Sequence, residues 1–252
     1  MIDLTGKIVL VTGGSRGIGA FVARTLAAAG ARVIVHYGSR ADAAASLVDE
    51  LGRDRSVAIR APLEADGAGG ALWSEALAWA GRIDVLVNNA GVALEAGPDD
   101  PIAAWRAAWD TTWRVNVVAV ADLCREAILY FRQHGGGTII NVSSRAAFRG
   151  DDPHYMHYAA SKGAVVALTK SIARGYARDR VLAYGVAPGW VRTDMAEQSI
   201  QVVGMEKLVR DIPMGEMAPP QDVANVVAFL ASGLAPHATG TTIDVNGASY
   251  VR

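Results

Sequence analysis

A chain of 252 residues that is 51% hydrophobic and 19% charged carries enough apolar mass for one large, well-buried α/β domain. Twenty-four basic against 25 acidic residues leave a formal net charge of -1 with no long block of Lys and Arg, which argues against a duplex-wide nucleic-acid surface. The single cysteine, Cys124, sits in an apolar, helix-like context and cannot form an internal disulfide, so it reads as a core residue of a cytoplasmic protein.

The opening Met-Ile-Asp-Leu leads straight into a strand without the basic-then-apolar pattern of a signal peptide, and the apolar segments are too short to span a membrane. Strands are predicted at Lys7 to Val11, Arg32 to Val35, Val57 to Arg60, Ile83 to Val87, Thr138 to Val142, Val181 to Val186 and Thr242 to Val245. Helices are predicted at Ile18 to Ala29, Asp42 to Leu51, Ala71 to Ala80, Ala103 to Gln133, Tyr158 to Arg178 and Asp222 to Ala231. The strands are apolar throughout rather than alternating, which implies burial on both faces and a parallel sheet covered by helices on each side. The expectation is therefore one α/β domain over residues 1 to 252: a single Rossmann-type, doubly wound parallel sheet of about seven strands with helices on both faces. The irregular stretch from Pro188 to about Ser199 and a short helix near Val202 to Arg210 interrupt the rhythm, so a substrate lid is expected around residues 190 to 215. The brief "GAGG" at 67 to 70 is the one low-complexity run.

The first strand runs into "TGGSRGIG", residues 12 to 19, and then into a helix. Gly13, Gly17 and Gly19 permit a tight turn and a close approach of backbone to a pyrophosphate, which the helix N-terminus would face with its N–H groups and positive dipole end. A nucleotide-binding loop built from Gly13, Ser15, Arg16, Gly17, Ile18 and Gly19 is the expectation. About twenty residues later, where an acid would accept from the adenosine ribose, the chain reads "VIVHYGSR": Tyr37 occupies the place and no carboxylate follows until Asp42. Arg16, Ser39 and Arg40 suit a 2'-phosphate instead, so NADP(H) is expected over NAD(H). "NNAG" at 88 to 91 places Asn89, Ala90 and Gly91 at a strand's carboxyl end, where small and amide residues line a nucleotide crevice.

The chemistry concentrates after the fifth strand. Ser143 and Ser144 end that strand, and adjacent strand residues face opposite ways, so one of the two is expected to turn inward. "YMHYAASK" then offers two phenols and one ammonium. Tyr158 and Lys162 are four apart and share a helix face, whereas Tyr155 lies two turns from the lysine. Asn116, polar within the apolar "RVNVV", must have a hydrogen-bonding partner or a task.

Taken together and in order, "TGGSRGIG", "NNAG", the Asn of "RVN", "NVSS", "YAASK", "APGWVRT" and "TGTTIDVNGA" make the chain resemble the short-chain dehydrogenase/reductase family over essentially its whole length, and most the 3-oxoacyl-thioester reductase type. The resemblance implies hydride transfer between NADP(H) and a carbonyl, with Tyr158 as general acid, Lys162 lowering the phenol's pKa and holding the nicotinamide ribose, Ser144 polarising the carbonyl oxygen, and Asn116 keeping a water for proton relay. It implies that Pro188, Gly189, Val191 and Thr193 meet the nicotinamide carboxamide, that Leu63 stands near adenine, that no metal takes part, and that the protein is a homotetramer. Tyr155, His154 and His157 are given no catalytic role.

Several positions depart from the family pattern: Pro62 and Leu63 where an Asp touches adenine, Tyr184 in place of Asn, Glu216 in place of Arg, and "VNGA" for "VDGG". Trp105, Trp109 and Trp113 form an aromatic stripe on one helix face, expected in the core or at a subunit interface. Apolar residues of the lid, Met195, Ile200, Val202, Val203 and Met205, suit an apolar substrate or simple packing. Two other readings stand beside a small-molecule carbonyl reductase: a sugar, polyol or steroid alcohol dehydrogenase, and a nucleotide-sensing protein that has lost turnover.

Overall fold

The computed structural model describes residues 2–252, with side chains for all of these except Met195, Gln198, Ser199, Val202 and Val203. Seven strands, β1 (Ile8–Val11), β2 (Arg32–Tyr37), β3 (Ser56–Arg60), β4 (Val85–Asn88), β5 (Gly137–Val142), β6 (Val181–Pro188) and β7 (Thr242–Val245), form one sheet in the order β3-β2-β1-β4-β5-β6-β7. Every pairing is parallel, with Val9 opposite Val33 and Val85, and Ile140 opposite Val87 and Tyr184. The order reverses between β1 and β4, and that switch point opens a crevice at the carboxyl ends of the strands.

Period-2 alternation divides the strand side chains between two cores. Val9, Val11, Val33 and Val35 face a cluster closed by α1 (Gly17–Ala28), α2 (Ala41–Leu51) and α10 (Pro220–Ser232). Ile8, Leu10, Ile34 and Leu86 face the opposite cluster, closed by α3 (Ala68–Ala80), α5 (Ala119–Gln133) and α7 (Met156–Tyr176). Each fully buried Val, Leu or Ile in these clusters contributes roughly 1.5–3 kcal/mol of transfer free energy. Within the "GAGG" run, Ala68 and Gly69 lie on the packing face of α3. A Cβ on Gly69 would stand 2.9 Å from the Asp122 Cβ and 3.0 Å from the Ala119 carbonyl oxygen, so glycine lets α3 and α5 approach closely.

The predicted long helix is α4 (Ile102–Trp113) continuing into α5 through a π-helical insert at Arg114–Val118. The segment after Pro188 departs from its prediction. The loop closes early, because α8 (Asp194–Val203) begins at an acidic first turn holding Asp194 and Glu197, and Gly204, with φ +85°, separates it from α9 (Met205–Val209). A four-residue helix, α6 (Ala146–Arg149), lies between β5 and α7 and is too short for any periodic signal.

Candidate active site

The glycine loop is held open by side chains that converge on it from β2 and β4. Thr12 Oγ1 accepts from the backbone N–H groups of Asn89 (2.9 Å) and Ala90 (3.0 Å), and Asn89 Nδ2 donates to the carbonyls of Thr12 (2.9 Å) and Gly13 (3.1 Å). His36 was not among the predicted residues, yet it joins three segments. Its Nδ1 accepts from Gly13 N–H at 3.0 Å and its Nε2 stands 3.0 Å from the Ala61 carbonyl oxygen. Those two bonds require the neutral tautomer with hydrogen on Nε2, and burial lowers its pKa accordingly. The sequence signal was a histidine inside an otherwise apolar strand.

Glycine is required at Gly19, where a Cβ would lie 2.1 Å from the Gly13 carbonyl oxygen and 2.5 Å from Asn89 Nδ2. Gly13 and Gly17 take φ of +61° and +51°. Arg16 is the N-cap of α1 but makes no side-chain capping bond, so the first N–H groups of this twelve-residue helix point at the crevice uncapped, as a bound pyrophosphate requires. Ser15 and Ile18 are half-buried at the loop's rim. Tyr37 ends β2 half-buried, with Ser39 and Arg40 exposed beyond it. Arg60 pairs with Tyr37 in register and donates from Nε to the Gly38 carbonyl at 3.2 Å, adding a cation to this corner that the sequence reading missed. Leu63 is buried in the core cluster that includes α3.

At the switch point's far side, Asn116 lies in the π-helical insert, 1% exposed. Such single-turn bulges recur at functional sites because they re-aim a side chain. Its amide pairs with the backbone of Val92 in both directions, accepting from the N–H and donating to the carbonyl at 2.9 Å each, and donates to Ser161 Oγ at 3.0 Å. Asn116 thus fixes the loop after Gly91 to the helix that carries Tyr158. A Cβ on Gly91 would stand 3.2 Å from Lys162 Nζ and 3.3 Å from Asn116 Oδ1, so both polar groups flank one small space.

The two serines divide as the strand geometry requires. Ser143 is buried and donates to the Lys162 carbonyl at 2.9 Å, whereas Ser144 is half-buried, its Oγ accepting from Ala146 N–H at 3.1 Å. Tyr158 is the third residue of α7, and the ammonium of Lys162 lies 5.8 Å from its ring centroid. Lys162 Nζ donates to the Val142 carbonyl at 2.9 Å, and burial pulls its pKa down to about 8. The phenol of Tyr158 is raised, first by burial; the Ser144 hydroxyl lowers it and Asp151 raises it further. Burial is the largest influence on both groups, since it disfavours the charged form of each. Tyr155, half-buried at the head of α7, is raised by burial and then by the carboxylates of Glu95, Asp151 and Asp152. His154 pairs with Asp152 on the surface at 2.9 Å, and His157 is buried against Trp109.

Pro188 ends β6; Gly189 N–H bonds the Val245 carbonyl at 2.9 Å, and Val191 bridges Ala218. Thr193 comes within 3.6 Å of the position a Cβ on Gly17 would take, which brings the segment after β6 against the glycine loop. The departures from the family pattern have structural reasons. Tyr184 is buried and donates to the Ala235 carbonyl at 3.1 Å, Asn246 Nδ2 donates to the Tyr250 carbonyl at 3.0 Å, and exposed Glu216 faces Arg192 at 3.7 Å. Cys124 is buried with its thiol pushed up to about 12, as its core position requires. Trp105 and Trp109 are half-buried and 5.1 Å apart, and Trp113 is 40% exposed, so the stripe is not core. The side chains of Met195, Val202 and Val203 lie outside the described residues.

A glycine cradle, an uncapped helix N-terminus and a lysine that spends one donor on the described residues fit a dinucleotide whose ribose and pyrophosphate cross the switch point. Comparisons with known proteins agree. Residues 13–248 match the family model described as enoyl-(acyl carrier protein) reductase. The chain is 36% identical to the 3-oxoacyl-[acyl-carrier-protein] reductase FabG of Rickettsia felis over 252 residues, covering 98% of each. It is 38% identical to 3beta-hydroxysteroid dehydrogenase 1 of Eggerthella lenta, covering 97% of this chain and 94% of that one. Among solved structures, a 3-oxoacyl (acyl-carrier-protein) reductase from Agrobacterium tumefaciens with NADP bound superposes with a TM-score of 0.90 at 31% identity, covering 98% and 95%. The 3-ketoacyl-(acyl-carrier-protein) reductase of Brucella melitensis complexed with NADH gives 0.89 at 30% identity, covering 99% and 100%.

Proposed function

The chain belongs to the short-chain dehydrogenase/reductase family, and from that premise we propose that it is an NADPH-dependent carbonyl reductase of oxoacyl-type substrates, with Tyr158 as the general acid. The observation that carries the reading is the convergence of the Ser144 hydroxyl, the Tyr158 phenol and the Lys162 ammonium at the carboxyl end of β5, beside the switch point. Reduced nicotinamide supplies the hydride when it is bound. The chain does the rest. Ser144 and Tyr158 hold the carbonyl oxygen from two sides, and Tyr158 delivers its proton to that oxygen as negative charge develops there. Lys162 places a cation behind the phenol and has donors left for the ribose, and Asn116 keeps the intervening loop in place for a water to connect the lysine to solvent.

The choice of NADPH is supported by Arg16, Ser39, Arg40 and Arg60 around the end of β2, with no carboxylate before Asp42. Residues 190 to 215 act as a lid. They share a small core with Met217, in which Ala196 and Ile212 pack with Trp190, Ile200 and Leu208, and their ends are pinned together where Arg192 N–H bonds the Ala218 carbonyl at 3.0 Å and Ala218 N–H bonds that of Trp190. A homotetramer is supported by Ile102, Trp113, Val118 and Leu129, exposed along the α4–α5 rod, and by Met156 at the start of α7. No helix among the described residues is long and apolar enough to cross a membrane, and the single buried thiol suits the cytoplasm.

A second reading, oxidation of a bulky secondary alcohol, is favoured by one observation: the chain is as similar to a hydroxysteroid dehydrogenase as to the oxoacyl reductases. The test is initial-rate oxidation of NADPH and NADH with an acetoacetyl thioester and with a steroid ketone. NADPH consumption with the thioester supports the proposal; turnover of the steroid alone moves the assignment to the second reading. Binding of NADPH without turnover of any carbonyl would favour a nucleotide sensor.

A further inference from the structure

We infer that Arg145 selects the substrate: its guanidinium receives a carboxylate borne near the reacting carbonyl, so that short oxo acids are preferred over neutral ketones and thioesters. The inference rests on the carbonyl-reductase reading and narrows its substrate class.

Arg145 follows Ser144 directly, so its backbone lies one peptide from the serine that faces the carbonyl oxygen. Its N–H bonds the Pro188 carbonyl at 2.9 Å, which fixes it against the end of β6. The stem then crosses Gly189, where an added Cβ would lie 3.4 Å from Arg145 Cδ. The residue is 9% exposed, yet among the described residues Nη1 has no hydrogen-bond partner and no carboxylate stands within ion-pair distance of the guanidinium. Asp151 and Asp211 are near enough to favour its charge without pairing, while Arg149 opposes it. Asp151 acts on the Tyr158 phenol as well, so one carboxylate influences both the guanidinium and the phenol.

A buried guanidinium with an orphaned nitrogen is unfavourable by itself, and the protein gains nothing from it for stability. An arriving carboxylate corrects this: two oxygens meet the planar fork in a bidentate pair, in a site already partly desolvated. The same pair orients the carbonyl towards Ser144 and Tyr158, since a substrate held at two points cannot turn. A thioester or methyl ester presents no charge there and leaves the nitrogen unpartnered.

The experiment compares kcat/KM, with NADPH, for 2-, 3- and 4-oxopentanoate against their methyl esters and against acetoacetyl thioester, in the wild type and in Arg145→Gln and Arg145→Lys. The wild type is expected to prefer one of the acids over its ester by on the order of 10- to 100-fold, the worth of a charge-assisted hydrogen bond. The acid-to-ester ratio should collapse towards one in Arg145→Gln and be intermediate in Arg145→Lys. A wild type that prefers the thioester or the neutral esters overturns the inference and leaves the reductase reading standing; so does a ratio unaltered by Arg145→Gln. Should no carbonyl be reduced at all, the reductase reading fails separately. The inference is then judged by calorimetric titration of pentanoate against pentanamide into the NADPH-loaded protein, where equal affinities in wild type and Arg145→Gln refute it.

Discussion

Replacing His36 with Phe should loosen the glycine loop and the strand beneath it together. The ring is 2% exposed and makes two hydrogen bonds, accepting from Gly13 N–H and donating to the Ala61 carbonyl. Phenylalanine fills the volume but leaves a donor and an acceptor buried without partners, at about 1–3 kcal/mol each. A loss of roughly 2–6 kcal/mol in urea unfolding follows, together with weaker NADPH binding, because Gly13 is the first glycine of the cradle. The pH dependence carries a sign that separates this from simple overpacking. The folded-state pKa of His36 lies below its unfolded value of 6.5, so the unfolded chain binds the extra proton first. Its contribution is complete above about pH 6.5 and is lost as pH falls from there towards the folded pKa, with a slope of at most about 1.4 kcal/mol per pH unit. Urea melts of wild type and His36→Phe between pH 5 and 8 are the assay: the stability difference should be largest at pH 8 and shrink on acidification. A difference independent of pH, or a variant as stable as wild type, would refute the reasoning.

Four further outcomes are expected. Tyr158→Phe should lower turnover by on the order of 10²–10⁴-fold while NADPH still quenches the protein's fluorescence, and Tyr155→Phe should stay within about threefold of wild type; equal losses from both would reassign the acid. Gly19→Ala forces a methyl to 2.1 Å from the Gly13 carbonyl oxygen, and should abolish NADPH binding in equilibrium titration and cost about 3 kcal/mol or more of stability. With Lys162 titrating at about 8, reductive kcat/KM should fall as pH rises through 8 because the ammonium is lost, whereas a profile flat to pH 10 would show that the charge is not needed. Trp113→Glu, at an exposed apolar position on the rod, should lower the mass seen by light scattering from that of a tetramer; an unchanged tetrameric mass would place the interface elsewhere.

The sheet was legible because its seven strands are short, apolar throughout and separated by helices with a clear apolar stripe; each predicted strand is present, shifted at its ends by no more than a few residues. Ser144, Tyr158 and Lys162 were legible for a related reason: a four-residue helical spacing and strand alternation are local rules, and both hold here. What escaped the sequence depends on contacts between segments far apart in the chain. His36 takes its meaning from Gly13 and Ala61, Asn116 from Val92 and Ser161, and Arg60 from Gly38. The π-helical turn that buries Asn116 has no periodic signature of its own, and helix α8 began where a proline and a glycine suggested only loop.

The ionisation of the site bears on its direction. A reductase needs its phenol protonated before hydride transfer, and an oxidising dehydrogenase needs it ionised. Burial raises Tyr158 and lowers Lys162, so the chain by itself keeps the phenol neutral and ready to donate near pH 7. Desolvation is the largest influence on both groups, and Ser144 is the chain's one restraint acting directly on the phenol, through the same hydroxyl that would hold the substrate oxygen. Once the proton has moved, the phenolate faces the ammonium behind its ring, and their attraction in a desolvated site stabilises the product state more than the reactant state. Before cofactor and substrate arrive, burial thus favours the neutral phenol, and the ammonium beside it becomes most useful once charge develops on the phenol oxygen.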